Sequence, residues 1–135
     1  MRMILLTLAS AMMAAPVLAA DPVTLKATLA GSADTDADGT GAATVTVDTT
    51  KNEVCYKLTV SGIDPATMAH IHKGAAGASG PVVVPFDPPT NGSSEGCKPV
   101  TAEVSAAIAT NPGDYYVNVH NAAFPKGAIR GQLGK

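Results

Sequence analysis

The chain carries three histidines, and all of them fall in two short segments patterned like β-strands. His70 and His72 lie in Met68-Ala-His-Ile-His72, and His120 ends Tyr115-Tyr-Val-Asn-Val-His120. In an extended strand residues i and i+2 point to the same face, roughly 6 to 7 Å apart along the chain. His70 and His72 therefore project together, and their imidazoles can converge on one ion. Neutral imidazole suits Cu(II), Zn and Ni, and Cu(II) has the highest affinity among the divalent first-row metals. Met68, two residues before His70 on the same face, offers an accessory soft thioether that suits Cu(I), although an ordinary partly buried methionine is the expectation there. The pattern predicts a metal site built from His70, His72 and His120, with copper first and zinc as the alternative, if the two segments are neighbours.

Face assignment supports that convergence. Tyr115, Val117 and Val119 form the apolar set of the later segment, which leaves Tyr116, Asn118 and His120 on the opposite side. Ala69 and Ile71 do the same for the earlier segment and leave Met68, His70 and His72 opposite. In Ala128 to Leu133, Ile129, Gly131 and Leu133 face inward, and Ala128, Arg130 and Gln132 face out. All three histidines and Arg130 are thus expected on the outer face of their strands, as a shallow cluster outside the sheet.

The elements that must position them read as short strands separated by Gly, Pro, Asn and Asp. Val23, Leu25, Ala27 and Leu29 alternate with Thr24, Lys26 and Thr28. A second strand follows around Val45 and Val47 after a turn over Asp34 to Gly41. A third runs from Val54 to Val60, a fourth from Ala66 to His72 and a fifth from Val82 to Phe86. Phe86 to Ser94 reads as a polar loop. Thr101 to Thr110 is the one helical stretch, with Thr101 as N-cap, Glu103 in the first turn and Asn111-Pro-Gly as its stop. Two further strands, Tyr115 to His120 and Ala128 to Leu133, close the chain. About seven strands with one short helix predict an all-β fold, an antiparallel Greek-key sandwich or barrel. Aromatic residues make up 4% of the chain, so the core must rely on Val, Leu, Ile and Ala.

The first twenty residues have the pattern of a secretory signal peptide: Arg2, an apolar run from Met3 to Ala15, and the small-residue site Val17-Leu-Ala-Ala20. The expected mature unit is one domain over residues 21–135, periplasmic or secreted, with no membrane anchor left after cleavage. Nine basic and eleven acidic residues give a net charge of −2, one unit more negative once Arg2 leaves with the leader. A mildly acidic domain without a basic run is not built for nucleic acid. Cys55 and Cys97, an even pair in an exported chain, favour a disulfide, and neither has a second cysteine at chelating spacing.

Other motifs are weaker. Asp34-Thr-Asp-Ala-Asp-Gly39 matches the start of a calcium loop, but position 12 is Val45 rather than Glu, so an Asp/Gly turn is the expectation. Asn91-Gly-Ser93 is a glycosylation sequon. No Ser or Cys stands in a recognisable nucleophile setting.

Four stretches together resemble the CHRD family, named for the repeated domains of chordin: Ala69-His-Ile-His-Lys-Gly74, Gly80-Pro-Val-Val-Val84, Tyr116-Val-Asn-Val-His120 and Phe124-Pro-Lys-Gly-Ala-Ile-Arg-Gly-Gln-Leu133. With the first strand they extend over Val23 to Leu133. The resemblance implies an immunoglobulin-like β-barrel similar to Cu,Zn superoxide dismutase. In those dismutases a His-x-His pair and a later strand histidine bind copper, and an arginine guides superoxide. Carried over, His70, His72 and His120 are copper ligands and Arg130 stands beside the open position. The chain departs from the dismutases in lacking a fourth, bridging histidine and a His/Asp zinc set, and from the family in having Ala128 where an acidic residue is usual.

Three functions follow as expectations. The first is an exported protein that handles or stores copper through the three-histidine site. The second is an interaction module, with the histidines serving contacts to an extracellular or periplasmic protein partner. The third is a copper-dependent redox enzyme such as a dismutase, with Arg130 drawing an anionic substrate.

Overall fold

The computed structural model describes residues 9–13 and 20–135. The leader expected over residues 1–20 lies, apart from 9–13 and Ala20, outside the described residues. The strands are β1 (Val23–Ala30), β2 (Thr40–Asp48), β3 (Glu53–Ser61), β4 (Ala66–Lys73), β5 (Val82–Phe86), β6 (Ser93–Pro99), β7 (Tyr115–Asn121) and β8 (Ile129–Gln132). One α-helix, α1 (Ala102–Thr110), and a single 3-10 turn, Pro112–Asp114, lie between β6 and β7.

Every strand pairs antiparallel with its neighbours, in the order β5-β4-β7-β8-β1-β2-β3-β6. The non-sequential neighbours β4–β7, β8–β1 and β3–β6 are the crossovers of a Greek-key sandwich. Period-two alternation builds the core. Leu25, Ala27 and Leu29 of β1, Ala43, Val45 and Val47 of β2, and Val54, Tyr56 and Leu58 of β3 are buried, while the residues between them face outward.

The two edge strands approach each other and nearly close the sheet into a barrel. The Tyr56 and Phe86 rings stack with centroids 4.0 Å apart. Asp87 joins the seam: its backbone N–H donates to the Tyr56 hydroxyl at 2.9 Å, its carbonyl accepts from Ser94 Oγ at 2.8 Å, and its carboxylate meets Lys98 at 3.0 Å. Helix α1 starts as expected, with Thr101 Oγ1 accepting from the Val104 N–H at 3.2 Å, and buries Ile108 against the core.

Three expectations need correction. Among the described residues there are eight strands rather than about seven. Ser93–Pro99, whose first two residues fall in the expected polar loop, is strand β6. It is an edge strand that alternates exposed and half-buried residues without apolar ones, so hydrophobic periodicity cannot reveal it. The second strand begins at Thr40, inside the expected turn. Ala128 is buried rather than outward, its N–H donating to the Val119 carbonyl at 2.8 Å.

Cys55 and Cys97 oppose each other in the β3–β6 register and form a disulfide, which clips this apolar-poor edge strand to the sheet. With 42 residues of separation the bond stabilises by about 4 kcal/mol in the chain-entropy estimate. We predict that the double variant Cys55→Ala/Cys97→Ala loses about 2–4 kcal/mol in urea unfolding. An unchanged midpoint would mean that β6 is held by its hydrogen bonds alone.

Candidate metal centre

The β4–β7 register sets Met68 against His120, His70 against Asn118 and His72 against Tyr116. Directly opposed residues share a face of the sheet. His70 and His72 therefore stand on one face with Tyr116, Asn118 and His120, and β8 adds Arg130 opposite Asn118 and Gln132 opposite Tyr116. The expected convergence of the two histidine segments is found.

Its expected openness is not. Every residue of β7 is buried, including the three on the outer side, because two loops cover that face. Residues 74–80 fold over Tyr116 and His72, and residues 122–128 fold over Asn118 and His120. Gly80 donates its N–H to the Tyr116 hydroxyl at 3.1 Å, and a side chain at Gly80 would run into the Lys73 carbonyl. Gly127 has φ +131° and passes so close to Asn118 that a Cβ would lie 2.8 Å from its amide. The cluster is half-buried beneath these loops rather than shallow.

Two backbone carbonyls from those loops set the histidine tautomers. His72 Nδ1 lies 2.9 Å from the Gly80 carbonyl, and His120 Nδ1 lies 2.9 Å from the Pro125 carbonyl. A carbonyl oxygen only accepts, so each Nδ1 carries the proton and each Nε2 presents a lone pair. His120 Nε2 sits 3.3 Å from His70 Nδ1, and since its own proton is on Nδ1, the shared hydrogen belongs to His70. His72 Nε2 is buried with no hydrogen-bond partner among the described residues. An orphaned buried acceptor costs about 1–3 kcal/mol.

One ring nitrogen from each of the three histidines lies within 4.8 Å of the others. Ring centroids are 5.3 Å apart for His70–His72, 5.1 Å for His70–His120 and 6.1 Å for His72–His120. Metal–nitrogen bonds of about 2.0–2.1 Å at tetrahedral angles put the nitrogens roughly 3.3 Å apart. The His70–His120 pair already has that spacing. The three-histidine group can hold a metal ion, and the donor set fits one, since an ion would satisfy the orphaned His72 Nε2. Carbonyl partners behind ligating rings are also the usual supports of metal-bound histidine.

Burial lowers the pKa of His70 below the ordinary histidine value, and repulsion from His120 and His72 lowers it further. Burial lowers His72 too; the hydrogen bond to Gly80 opposes this, and the nearby charges of His120 and Arg130 add to the lowering. Both rings are thus held in the neutral form that a metal requires.

Arg130 reaches the cluster through Tyr116. Its guanidinium lies 3.5 Å from the Tyr116 ring centroid, and the other side of the sheet order brings His72 parallel to the same ring at 4.9 Å, with a 3° interplanar angle. Arg130 also donates to the Ala78 carbonyl at 2.8 Å and the Ala75 carbonyl at 3.4 Å, so it holds the loop that in turn orients His72. Gln132 Nε2 adds a bond to the Gly74 carbonyl at 3.0 Å. Met68 is on the expected strand opposite His120 but is 46% exposed, at the rim of the site. Cys55 and Cys97 offer no thiolates, being bonded to each other. Among the described residues the carboxylates of Asp34, Asp36 and Asp38 are not gathered for a cation, and their segment is a turn, with Gly31 N–H donating to the Gly39 carbonyl. The two carbonyl acceptors, Gly80 and Pro125, escape sequence reasoning because any residue type has a carbonyl.

The family model of the CHRD domain matches residues 25–133. The chain belongs to the CHRD domain family. The match takes in β1 from Leu25 and all of β2 to β8, so the histidine cluster is internal to the CHRD domain and both covering loops belong to it. No curated protein and no solved structure matches the chain. No helix among the described residues is long and apolar enough to cross a membrane.

The lowered histidine values predict the pH response of the metal-free CHRD domain. Unfolded histidines take up protons below about 6.5, whereas His70 and His72 resist protonation until lower pH. Their contribution to stability is therefore present above about 6.5 and is lost as pH falls through the lowered folded values. Urea midpoints measured at pH 7.5 and 5.5 will show a drop on acidification that is smaller in His70→Gln. A midpoint that rises on acidification, or an equal drop in the variant, would contradict this.

Proposed function

We propose that this CHRD domain is an exported metal-binding domain, cleaved after its leader to a unit of about residues 21–135, which holds one copper ion for handling or storage. The ligands are His70 through Nδ1 and His72 and His120 through Nε2. The single observation carrying this reading is that two loop carbonyls take the Nδ1 protons of His72 and His120, which leaves His120 Nε2 3.3 Å from His70 Nδ1 and His72 Nε2 buried without a partner among the described residues.

Copper is preferred over zinc on affinity among divalent ions, and exposed Met68 gives the rim a soft donor suited to Cu(I). Bound copper would supply a one-electron redox centre or a Lewis acid. The chain's own residues hold the His70 and His72 imidazoles neutral, and the loops fix the orientation of His72 and His120. Arg130 serves here as a positioning residue, acting on His72 through Tyr116 and the 74–80 loop. The disulfide between Cys55 and Cys97 supports export, because such bonds persist in oxidising compartments.

A metal-free interaction module is the second reading. The observation in its favour is the exposure of two large apolar side chains on adjacent strands, Met68 at 46% and Val82 at 48%. No metal retained after dialysis, together with a partner whose binding is lost in Met68→Ser/Val82→Ser, would favour it.

Copper titration of the purified domain, monitored calorimetrically against a competing chelator, tests the main reading. His70→Ala, His72→Ala and His120→Ala should each weaken binding by roughly a hundredfold or more, comparable to losing about 3 kcal/mol. Affinity should hold from pH 8 through about 6.5 and fall at lower pH, as protons compete for the ring nitrogens of His70 and His72 at their lowered values. Variants that bind as the wild type does, or retention that is flat down to pH 5, would refute the ligand assignment. The redox reading is checked in the same preparation, where no dismutation above a free-copper control removes it.

A further inference from the structure

A second group of metal-ligating side chains gathers on the outer face of β3 and β6, at the other end of the sheet order from the histidines. Cys55 and Cys97 are directly opposed in the register, and Glu53, two residues before Cys55, shares their face. Glu53 Oε1 lies 3.5 Å from Cys55 Sγ, and one carboxylate oxygen and the two sulfurs all lie within 4.8 Å of one another. Neither cysteine has a second one at chelating spacing along the chain, but the strand register supplies one across the sheet.

Two features set this bond apart from a purely structural clip. The first is that opening it does not scatter its sulfurs. The β3–β6 pairs run from Glu53–Pro99 to Thr59–Ser93, so the backbone ladder holds Cys55 and Cys97 face to face whether or not they are joined. Both ends of the ladder are pinned: the Val100 N–H donates to the Asn52 carbonyl at 2.9 Å, and the Val60 N–H to the Gly92 carbonyl at 2.9 Å. The second feature is access. Cys97 is exposed and Cys55 half-buried, so an incoming thiolate reaches Cys97 Sγ from solvent.

We propose that Cys55, Cys97 and Glu53 form a redox-gated zinc site, closed while the disulfide stands and opened by a protein dithiol. A thiolate of the dithiol attacks Cys97 Sγ, and Cys55 leaves as its thiolate. The partner's second thiolate then attacks the partner sulfur of the mixed disulfide and releases Cys97. The cysteines gain two electrons and two protons, and the dithiol becomes a disulfide. Zinc displaces both thiol protons and takes two thiolates and one Glu53 oxygen, with water in the fourth position. Zinc–sulfur bonds of about 2.3 Å at tetrahedral angles need sulfurs about 3.8 Å apart, within reach of rotations about the two Cα–Cβ bonds. Thiolates disfavour magnesium and calcium, and the carboxylate favours zinc over Cu(I). The ion restores across β3 and β6 the link that reduction removes. This site is independent of the three-histidine centre.

The purified chain is compared in its disulfide form and after reduction with dithiothreitol, which is then removed by anaerobic desalting. Thiol titration checks the reduction, and amide chemical shifts check that the fold is kept. Calorimetric titration with zinc should find one more equivalent in the reduced form than in the disulfide form, whatever the histidines bind in both. Cobalt in place of zinc should give thiolate-to-metal charge-transfer absorption in the reduced form alone. Glu53→Gln should weaken the added equivalent roughly tenfold, and Cys97→Ser should abolish it. Zinc should raise the urea midpoint of the reduced chain by more than it raises that of Cys97→Ser. Equal zinc stoichiometry in the two forms, a disulfide that the dithiol fails to open in the folded chain, loss of the fold on reduction, or Glu53→Gln binding as the unaltered chain does would overturn the proposal.

Discussion

The register between β4 and β7 is the constraint on which the rest depends. Side chains alternate with period two, so Ala69, Ile71, Val117 and Val119 can all be buried only in registers that send His70, His72 and His120 to the other face. A slip of one residue on β4 would place two imidazoles in the core and expose Ile71. Burial of a large aliphatic side chain is worth about 1.5–3 kcal/mol, and that energy holds the histidines in place as a by-product. Core packing and the candidate site are the same structural decision.

Register alone brings the rings together without aiming them. Aim comes from the loops, through the Gly80 and Pro125 carbonyls, and the loops are themselves held by Arg130 and Gln132. Three lone pairs cannot face one another without something between them. In the metal-free protein that something is the hydrogen on His70 Nδ1, shared with His120 Nε2 at 3.3 Å, while His72 Nε2 stays unsatisfied. Metal binding would replace this hydrogen, and His70 would have to carry its proton on Nε2 instead. The centre is thus poised between a proton and a metal, with lowered histidine pKa values favouring the metal.

Much of this is legible in the amino-acid chain, for identifiable reasons. The strands of the core announce themselves because Leu25-x-Ala27-x-Leu29 and Val54-x-Tyr56-x-Leu58 alternate cleanly, and the histidine pair shares a face because i and i+2 must. The helix is marked by Thr101 and stopped by Asn111-Pro-Gly. Strand β6 is hidden, since Ser-Ser-Glu-Gly-Cys-Lys-Pro has no apolar period and is held by pairing and a disulfide. The burial of the second face of β7 is hidden as well: Tyr116 and Asn118 look like outward residues until Gly-rich loops, whose path depends on contacts distant in sequence, fold over them. The site's orienting groups are backbone atoms, which carry no residue-type signal.

The central claim is that the fold presents two Nε2 lone pairs and one Nδ1 to a common point. Nitrogen-15 spectra of the histidine rings, recorded at pH 7.5 without metal and after one equivalent of zinc, test it most directly. The account predicts that His72 and His120 carry their proton on Nδ1 in both states, that His70 carries it on Nδ1 before zinc and on Nε2 after, and that zinc displaces the resonances of His72 Nε2, His120 Nε2 and His70 Nδ1. A ring of His72 or His120 protonated on Nε2, or zinc that leaves all three rings unchanged, would contradict it.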